Sequence, residues 1–371
     1  MIDESLDGHF MSIALREAER GLYSAHPNPR VGCILVKNNE IVGRGFHLMT
    51  GTGHAEANAL ADAGSNAAGS TAYCTLEPCS FSGRTPSCAE ALIEAGVSRL
   101  VCAMTDPHPK NQGVGFEKLR VAGIKVTVGV LEDSARALNP GHVRKYEVGM
   151  PYVRLKLAMS LDGKTALANG ESHWITGSAA RQDVQRLRAR SSAIITGVQT
   201  VVDDDPQLTV RASELGVEFS EAASKAERKI VVLDPERRIP RSAQLLANEH
   251  LILATLDEPA NDQDLGVDEI QIPDNGERRI DLEILLGRLA AMDCNEVLFE
   301  CGATLAGSLI NNNLIDELVV YVAPKLMGDQ SKSLMNLEEL VGMSQAPALE
   351  FTDIRRVGQD LRITAILKDK E

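Results

Sequence analysis

His54, Glu56, Cys79 and Cys88 are the residues whose types and order name a chemistry in this chain. One neutral imidazole and two thiolates form a ligand set for Zn2+, leaving the fourth tetrahedral position to a water made acidic near neutral pH. Glu56 is not needed as a ligand. Two residues beyond the imidazole, it is spaced to take that water's proton and return it to a leaving amine. Two residues of a regular helix lie about 200° apart, so His54 and Glu56 share a site only if His54 stands at the turn before the helix. Thr50-Gly51-Thr52-Gly53 supplies that turn and the alanine-rich run 55–63 the helix. Cys88 likewise opens a helical stretch, residues 89–95, closed by Gly96, and a helix N-terminus favours a thiolate. His-x-Glu alone is weak, as are two cysteines nine positions apart. The four in this order are specific, with Pro78 before the first cysteine and the turn-forming residues 82–86 between the pair. No further Cys or His stands nearby to close a purely structural site.

The elements that must position these residues follow from hydrophobic patterning. The sequence predicts a helix over 10–21, strands 31–36 and 41–46, the helix after His54, strand 72–76, the helix after Cys88, strand 100–104, a helix near 116–122 and strand 125–129. That order implies a layered α/β domain with the histidine and both cysteines at strand-to-helix turns. A chain of 371 residues exceeds one ordinary core. A boundary is expected at Gly149-Met150-Pro151, dividing domain 1–148 from domain 151–371. The second α/β series has strands 152–159, 192–196, 229–233, 250–254, 296–300 and 318–323 and a hairpin over 349–367. Residues 214–227 and 257–268, charged and aperiodic, read as solvated connections.

Strand 297–300 of the second series runs into Cys301-Gly302-Ala303-Thr304-Leu305-Ala306-Gly307-Ser308 and then a helix. Small residues at such a turn let backbone N–H groups approach phosphate, although tight helix packing explains glycines there equally well. Two further loops follow strands, at Ala158 to Lys164 and at Thr196-Gly197-Val198, the latter leading to Thr200, Asp203, Asp204, Asp205 and Pro206. Three loops at strand ends could line one cleft for a dinucleotide. Trp174, the only tryptophan, reads as either a core anchor or part of that cleft. Arg188 and Arg211 are candidate phosphate clamps.

Composition narrows the class. The net charge of −14 and the absence of Lys/Arg-rich runs argue against nucleic acid as a partner. There is no 18-residue apolar run, signal segment or lipidation pattern, so no membrane association and a cytoplasmic enzyme are expected. Seven scattered cysteines agree with a reducing compartment, with Cys33, Cys74 and Cys102 read as buried small hydrophobes.

Over nearly its whole length the chain resembles the bifunctional riboflavin-biosynthesis deaminase/reductase family. His26-Pro27-Asn28-Pro29-Arg30-Val31-Gly32-Cys33, His54-Ala55-Glu56, and Pro78-Cys79-Ser80 through Gly83-Arg84-Thr85-Pro86-Ser87-Cys88 are similar to its deaminase half. Ser160 to Lys164, Gly170 to Thr176 and Asp204 to Arg211 are similar to its reductase half. The resemblance implies a cytidine-deaminase-like three-layer α/β domain followed by a dihydrofolate-reductase-like α/β domain, with Zn2+ and NADPH as cofactors and small phosphorylated pyrimidines as substrates. Two successive steps are implied. The first is hydrolytic deamination of 2,5-diamino-6-(5-phosphoribosylamino)pyrimidin-4-one. The second is reduction of the ribosyl group of 5-amino-6-(5-phosphoribosylamino)uracil to ribityl.

The same resemblance assigns zinc to His54, Cys79 and Cys88, proton transfer to Glu56, and the first substrate to Asn28, Arg84 and Asp106. It assigns NADPH to Ala158, Trp174, Thr200, Asp204, Gly302, Ala303, Thr304, Leu305, Ala306, Gly307 and Ser308. The second substrate falls to Ser172, Arg188, Leu208, Arg211 and Glu300. Lys156, on the strand leading to Ala158, is a candidate for proton handling during reduction. Phe81 and His108 depart from the family pattern, which commonly has His and Asn there. A nucleoside or tRNA deaminase with an unrelated C-terminal domain is the competing enzyme reading, and a catalytically dead zinc-stapled binding module a third. Oligomeric state, a homo-oligomer included, is left open.

Overall fold

The computed structural model describes residues 4–81, 87–256 and 265–368. The chain forms two compact units, Met1–Gly149 with Glu218–Ala226, and Met150–Val217 with Glu227–Glu371.

In the first unit, helix α1 (Glu4–Glu19) precedes strands β1 (Gly32–Lys37) and β2 (Glu40–Phe46) and helix α2 (Ala55–Ala63). Strand β3 (Thr71–Cys74), helix α3 (Cys88–Glu94), strand β4 (Arg99–Cys102), helix α4 (Val114–Val121), strand β5 (Lys125–Val128) and helices α5 (Glu132–Leu138) and α6 (Pro140–Val148) follow. The five strands run in the order β2-β1-β3-β4-β5. β1 is antiparallel to both neighbours, and β3, β4 and β5 are parallel. The run Cys33-Ile34-Leu35-Val36 is apolar throughout because both faces of β1 are covered. Cys33 and Leu35 pack toward Ala55 and Ala59 of α2, while Ile34 and Val36 pack toward Phe10, Met11 and Ala14 of α1. Cys33, Cys74 and Cys102 are fully buried and stand in register across β1, β3 and β4, as expected of small hydrophobes. Gly45 sets how closely α2 lies on β2, since a Cβ there would collide with the Ala55 carbonyl and the Ala59 amide.

The second unit begins with β6 (Tyr152–Ser160), β7 (Lys164–Ala166), α7 (Ser178–Arg190), β8 (Ala193–Gly197), α8 (Val198–Asp204) and α9 (Ala212–Leu215). After α10 (Ser220–Lys225), within the segment assigned to the first unit, it continues with β9 (Lys229–Leu233), β10 (Leu251–Leu256), β11 (Asp268–Ile272), α11 (Leu282–Ala291), β12 (Glu296–Glu300) and α12 (Ala303–Asn311). It ends with β13 (Glu317–Ala323), β14 (Lys332–Ser333), β15 (Leu349–Val357) and β16 (Asp360–Leu367). Nine strands form one sheet in the order β11-β10-β9-β8-β12-β6-β13-β16-β15. It is parallel from β11 to β13 and closes with the antiparallel hairpin β15–β16. Period-2 alternation divides its core. Val297 and Phe299 of β12 join the large cluster with Leu285, Leu289 and Leu309, while Leu298 joins the cluster under α7 with Val184 and Leu187.

The segment 214–227 departs from the expected solvated connection. It contains the end of α9 and all of α10, and buries Leu215 and Ala223. Charged faces masked the two short apolar contacts. Arg20 explains how Glu218–Ala226 joins the first unit. Its guanidinium binds Glu218 at 2.8 and 3.2 Å and lies over the rings of Phe46 and Phe219, 4.5 and 5.4 Å from their centroids. Residues 257–264 of the other expected connection lie outside the described residues.

Candidate active sites

His54 is the N-cap of α2, with extended backbone (φ −71°, ψ 165°), and Glu56 is in the first turn. This is the geometry that lets the two side chains share a site. Cys88 is the first residue of α3, whose N-cap Ser87 accepts from the Glu90 amide at 3.2 Å. Cys79 lies in the loop between β3 and α3, and the Cys88 amide donates to its sulfur at 3.2 Å. The three ligand atoms lie within 4.8 Å of one another. His54 Nδ1 is 3.3 Å from Cys88 Sγ and 3.7 Å from Cys79 Sγ. Ordinary Zn–N and Zn–S bonds at tetrahedral angles put N and S about 3.5 Å apart, so the donor set fits zinc. Hydrogen bonding from Cys88 and His54 holds the Cys79 thiol down to about 4, while hydrogen bonding to Cys79 and burial push Cys88 up. A dication between them removes that conflict by favouring thiolate at both. Glu56 is buried, and burial, reinforced by the Cys79 charge, pushes its carboxyl up to about 7.

A second layer of polar groups fixes this site, and sequence patterning did not single it out. Glu77, directly before Pro78-Cys79, is buried and accepts from the amides of Asp106, Gly113, Gly115 and Phe116 at 2.9–3.3 Å. Fully buried Asn111 receives the Ser80 amide at 2.9 Å and donates to the Pro78 carbonyl and to Asp106. The cysteine loop and the segment 106–116 are thereby one rigid piece. Asp106 also accepts from His142 Nε2 at 2.9 Å and from the His108 amide at 3.0 Å. Asn28 reaches His47 Nε2 at 3.0 Å, and His47 Nδ1 meets the Gly53 carbonyl at 3.2 Å. A carbonyl only accepts, so Nδ1 carries the proton, Nε2 accepts from the Asn28 amide, and the Asn28 oxygen stays available. The charged residue next to a Pro-Cys and the histidine ahead of the glycine turn were the available signals. The His108 ring packs at a tilt against Tyr146 and Phe81, with centroids 4.6 and 5.8 Å away, so the two departures from the family pattern are neighbours. Arg84 lies outside the described residues.

In the second unit Lys156 on β6 stands opposite Glu300 on β12 in register, its Nζ 3.9 Å from the carboxylate. Arg188 on α7 binds both oxygens of Glu300 at 2.5 and 3.1 Å and donates to the Thr209 carbonyl. The Arg188 guanidinium is thus already neutralised by Glu300. Burial lowers the Lys156 ammonium below its ordinary value, with Glu300 opposing that shift. The Arg211 amide donates to Gln185 of α7 at 3.0 Å, its side chain pairs with Glu214, and Leu208, three residues earlier, is buried. Ser172 and His173 approach Asp204 at 3.5 and 3.3 Å. Trp174 is 62% exposed and lies beneath the Arg181 guanidinium at 4.4 Å, which removes the core-anchor reading.

A cavity of about 730 Å³ opens at the carboxyl ends of β8, β9 and β12, where parallel sheets bind ligands. Thr200, Gly302, Ala303, Thr304, Leu305 and Ser308 line it; Ala158, Trp174, Asp204, Ala306 and Gly307 do not. Gly302 is the N-cap of α12, with open space where its Cβ would be, while a Cβ on Gly307 would collide with the Asn336 carbonyl. One glycine opens the helix N-terminus to a ligand and the other permits packing. Small side chains, free space and a helix N-terminus suit the pyrophosphate of a dinucleotide.

Residues 151–363 match the model of the RibD C-terminal domain, and residues 4–104 that of the cytidine and deoxycytidylate deaminase zinc-binding region. The chain belongs to the RibD family. It is 44% identical to riboflavin biosynthesis protein RibD of Haemophilus influenzae over 369 residues, covering 97% of each chain. It is 43% identical to that of Escherichia coli over 359 residues, covering 96% of this chain and 98% of the other. Among solved structures, Acinetobacter baumannii RibD superposes with a TM-score of 0.91 at 43% identity, covering 99% of this chain and 100% of the other. The Thermotoga maritima protein described as a diaminohydroxyphosphoribosylaminopyrimidine deaminase/5-amino-6-(5-phosphoribosylamino)uracil reductase superposes at 0.84 with 28% identity, covering 98% and 99%. As a RibD protein the chain is a bifunctional enzyme of riboflavin biosynthesis, a zinc-dependent deaminase and an NADPH-dependent reductase. No helix among the described residues is long and apolar enough to cross a membrane.

Proposed function

We propose that residues 1–148 deaminate 2,5-diamino-6-(5-phosphoribosylamino)pyrimidin-4-one and that residues 151–371 reduce the ribosyl group of 5-amino-6-(5-phosphoribosylamino)uracil to ribityl. The observation that carries the first half is buried Glu56 beside the convergent His54, Cys79 and Cys88. Zinc held by those three ligands supplies the Lewis acidity that makes water a nucleophile near neutral pH. Glu56 takes a proton from the attacking water and hands it to the departing amine. Asn28, oriented by His47, and Asp106, oriented by His142 and Asn111, hold the pyrimidine edge. Arg84 is the proposed partner for the substrate's phosphate.

In the second half, NADPH supplies the hydride that arrives at C1' of the ribosyl group. Thr200, Gly302, Ala303, Thr304, Leu305 and Ser308, which line the cavity, form the pyrophosphate part of its site; Ala158, Trp174 and Asp204 lie outside that lining, and Ala306 and Gly307 serve helix packing. Ser172, Leu208, Arg211 and the Arg188–Glu300 pair position the second substrate. Arg188 acts by holding Glu300, because both carboxylate oxygens already receive its N–H groups. Lys156 handles the proton that accompanies reduction. The acidic net charge supports small-molecule partners over nucleic acid, and a cytoplasmic location accords with seven free cysteines.

The test is an anaerobic assay with the diaminopyrimidine phosphoribosyl compound and NADPH, following ammonia and nicotinamide absorbance in one cuvette. Equal stoichiometry of the two signals is expected. Ammonia without NADPH oxidation would reject the second substrate, and neither signal from zinc-loaded protein would reject both.

A further inference from the structure

Trp174, the only tryptophan of the chain, stands on a short segment strapped across the reductase site. In the strand order β8-β12-β6-β13, the strands that carry Glu300 and Lys156 are the inner two. The strap is tied beyond both of them. On one side Ser172 Oγ and His173 Nε2 approach Asp204, at the end of the helix that follows β8, at 3.5 and 3.3 Å. On the other side Lys325, just past the end of β13, donates from Nζ to the Trp174 carbonyl at 2.6 Å. A segment held at these two ends passes over the carboxyl ends of β12 and β6, the side of a parallel sheet where ligands bind. Thr200, about one turn before Asp204 on α8, lines the cofactor cavity, so the strap starts at the cavity's edge.

Trp174 takes no part in the buried hydrophobic clusters. Arg181 holds its indole instead, with the guanidinium over the ring at 4.4 Å and an N–H donated to the Thr176 carbonyl at 2.9 Å. Arg181 has no acidic partner among the described residues, so its charge is committed to the indole face. It stands on α7, as does Arg188, which holds Glu300. The spacing between the two arginines is close to two helical turns, so both leave the same face of the helix. α7 is itself anchored to the sheet. Asp183 receives the Tyr321 hydroxyl at 2.7 Å and the Arg362 guanidinium at 3.0 Å, and the Gly177 amide at the N-cap donates to Asp360 at 2.8 Å. One anchored helix thus sets both the carboxylate on the sheet and the aromatic ring on the strap.

We propose that Arg181 is a positioning residue of the reductase: through its cation–π contact it holds the Trp174 indole as a flat cover on which the nicotinamide ring of NADPH stacks. With the guanidinium on one face of the indole, the opposite face is left for the cofactor. The proposal rests on the reading of the second unit as an NADPH reductase. Because Trp174 is the only tryptophan, protein fluorescence excited at the indole reports this ring alone. Titrating the full-length protein with NADPH should quench that emission and pass energy to the reduced nicotinamide, whereas 2',5'-ADP, which lacks the nicotinamide, should leave it unchanged. Arg181→Met keeps the length of the side chain without its charge. It should remove most of the energy transfer at saturating NADPH and raise the KM for NADPH about 5-fold, the scale of a lost cation–π contact. The pyrimidine KM, 2',5'-ADP affinity and ammonia release should not change, and Arg181→Lys should restore the transfer. Energy transfer equal to wild type in Arg181→Met would overturn the proposal. So would weakened 2',5'-ADP binding, the mark of a general structural role, or a rise in the pyrimidine KM instead. A wild type that binds no NADPH in calorimetry would reject the reductase reading and this proposal with it; binding without any change in Trp174 emission would reject this proposal alone.

Discussion

The two active sites of this chain are built on opposite plans. In the deaminase unit four reactive side chains come from residues 54–88, and a buried layer of Glu77, Asn111, His47 and His142 fixes the loops around them. In the reductase unit the groups come from strand ends and a helix spread over residues 156–308, around an open cavity. The donor atoms of the first site stand at distances that suit zinc. The second has its charges paired with one another, Arg188 and Lys156 against Glu300, and must accept its ligands from outside. A metal demands a short list of ligand types at fixed distances, whereas a large cofactor demands surface, which many residue types can line.

The largest effects should separate the two sites cleanly. Glu56→Ala should lower ammonia release by about 10³-fold, the scale of a lost general acid–base group, while reduction of supplied deaminated substrate continues at the wild-type rate. Zinc removal by a chelator should do the same and be reversed by added Zn2+. If either treatment also stops the reductase, the two sites are not independent and the comparison fails.

The next effect probes the open site. Lys156→Ala should reduce reductase kcat by about 10²-fold with NADPH binding, read by fluorescence titration, preserved. Burial holds the Lys156 ammonium below its ordinary value of 10.5. A proton-donating lysine is active below its pKa, so wild-type kcat should fall as pH rises through a value below 10.5. That alkaline limb should vanish in the variant. An identical pH profile would remove Lys156 from the chemistry.

Glu77→Ala tests whether the layer behind the metal ligands is what makes the first site rigid. It leaves buried amides unsatisfied and should cost about 1–3 kcal/mol of stability, read by denaturant unfolding, together with weaker zinc retention. Full zinc retention would show that the ligands hold themselves. The smallest effect is expected at the contact between the two departures from the family pattern. His108→Ala should raise the deaminase KM about 3- to 10-fold, the scale of one hydrogen bond, and spare the reductase; an unchanged KM would show that His108 does not replace the family's asparagine.

Sequence reading reached two of the zinc ligands because they stand at helix starts that local residues encode, the glycine turn before His54 and Ser87 before Cys88, and reached Cys79, in a loop, only from its place after Pro78 and ahead of Cys88. It reached the strands with continuous apolar runs, such as β1, β9 and β12, within a residue or two. It misread residues 214–227, where a charged surface hides Leu215 and Ala223. It left Trp174 undecided between core and surface, because exposure of a single aromatic depends on what the rest of the chain covers.

By itself the sequence determined the zinc ligand set, the succession of two α/β units and the class of chemistry, and it singled out Glu56 as the proposed proton-transfer carboxylate, since these depend on residue type and near-neighbour spacing. Only the tertiary structure decided that Glu77 and Asn111 lock the cysteine loop to residues 106–116. It likewise decided that Arg188 is spent on Glu300 and that Gly302 faces open space while Gly307 packs. Each of these joins residues tens to more than a hundred positions apart, or turns on which side of an element faces free space. Hydrogen bonds and packing at such separations are set by how strands and helices stack, and local patterning carries no record of it.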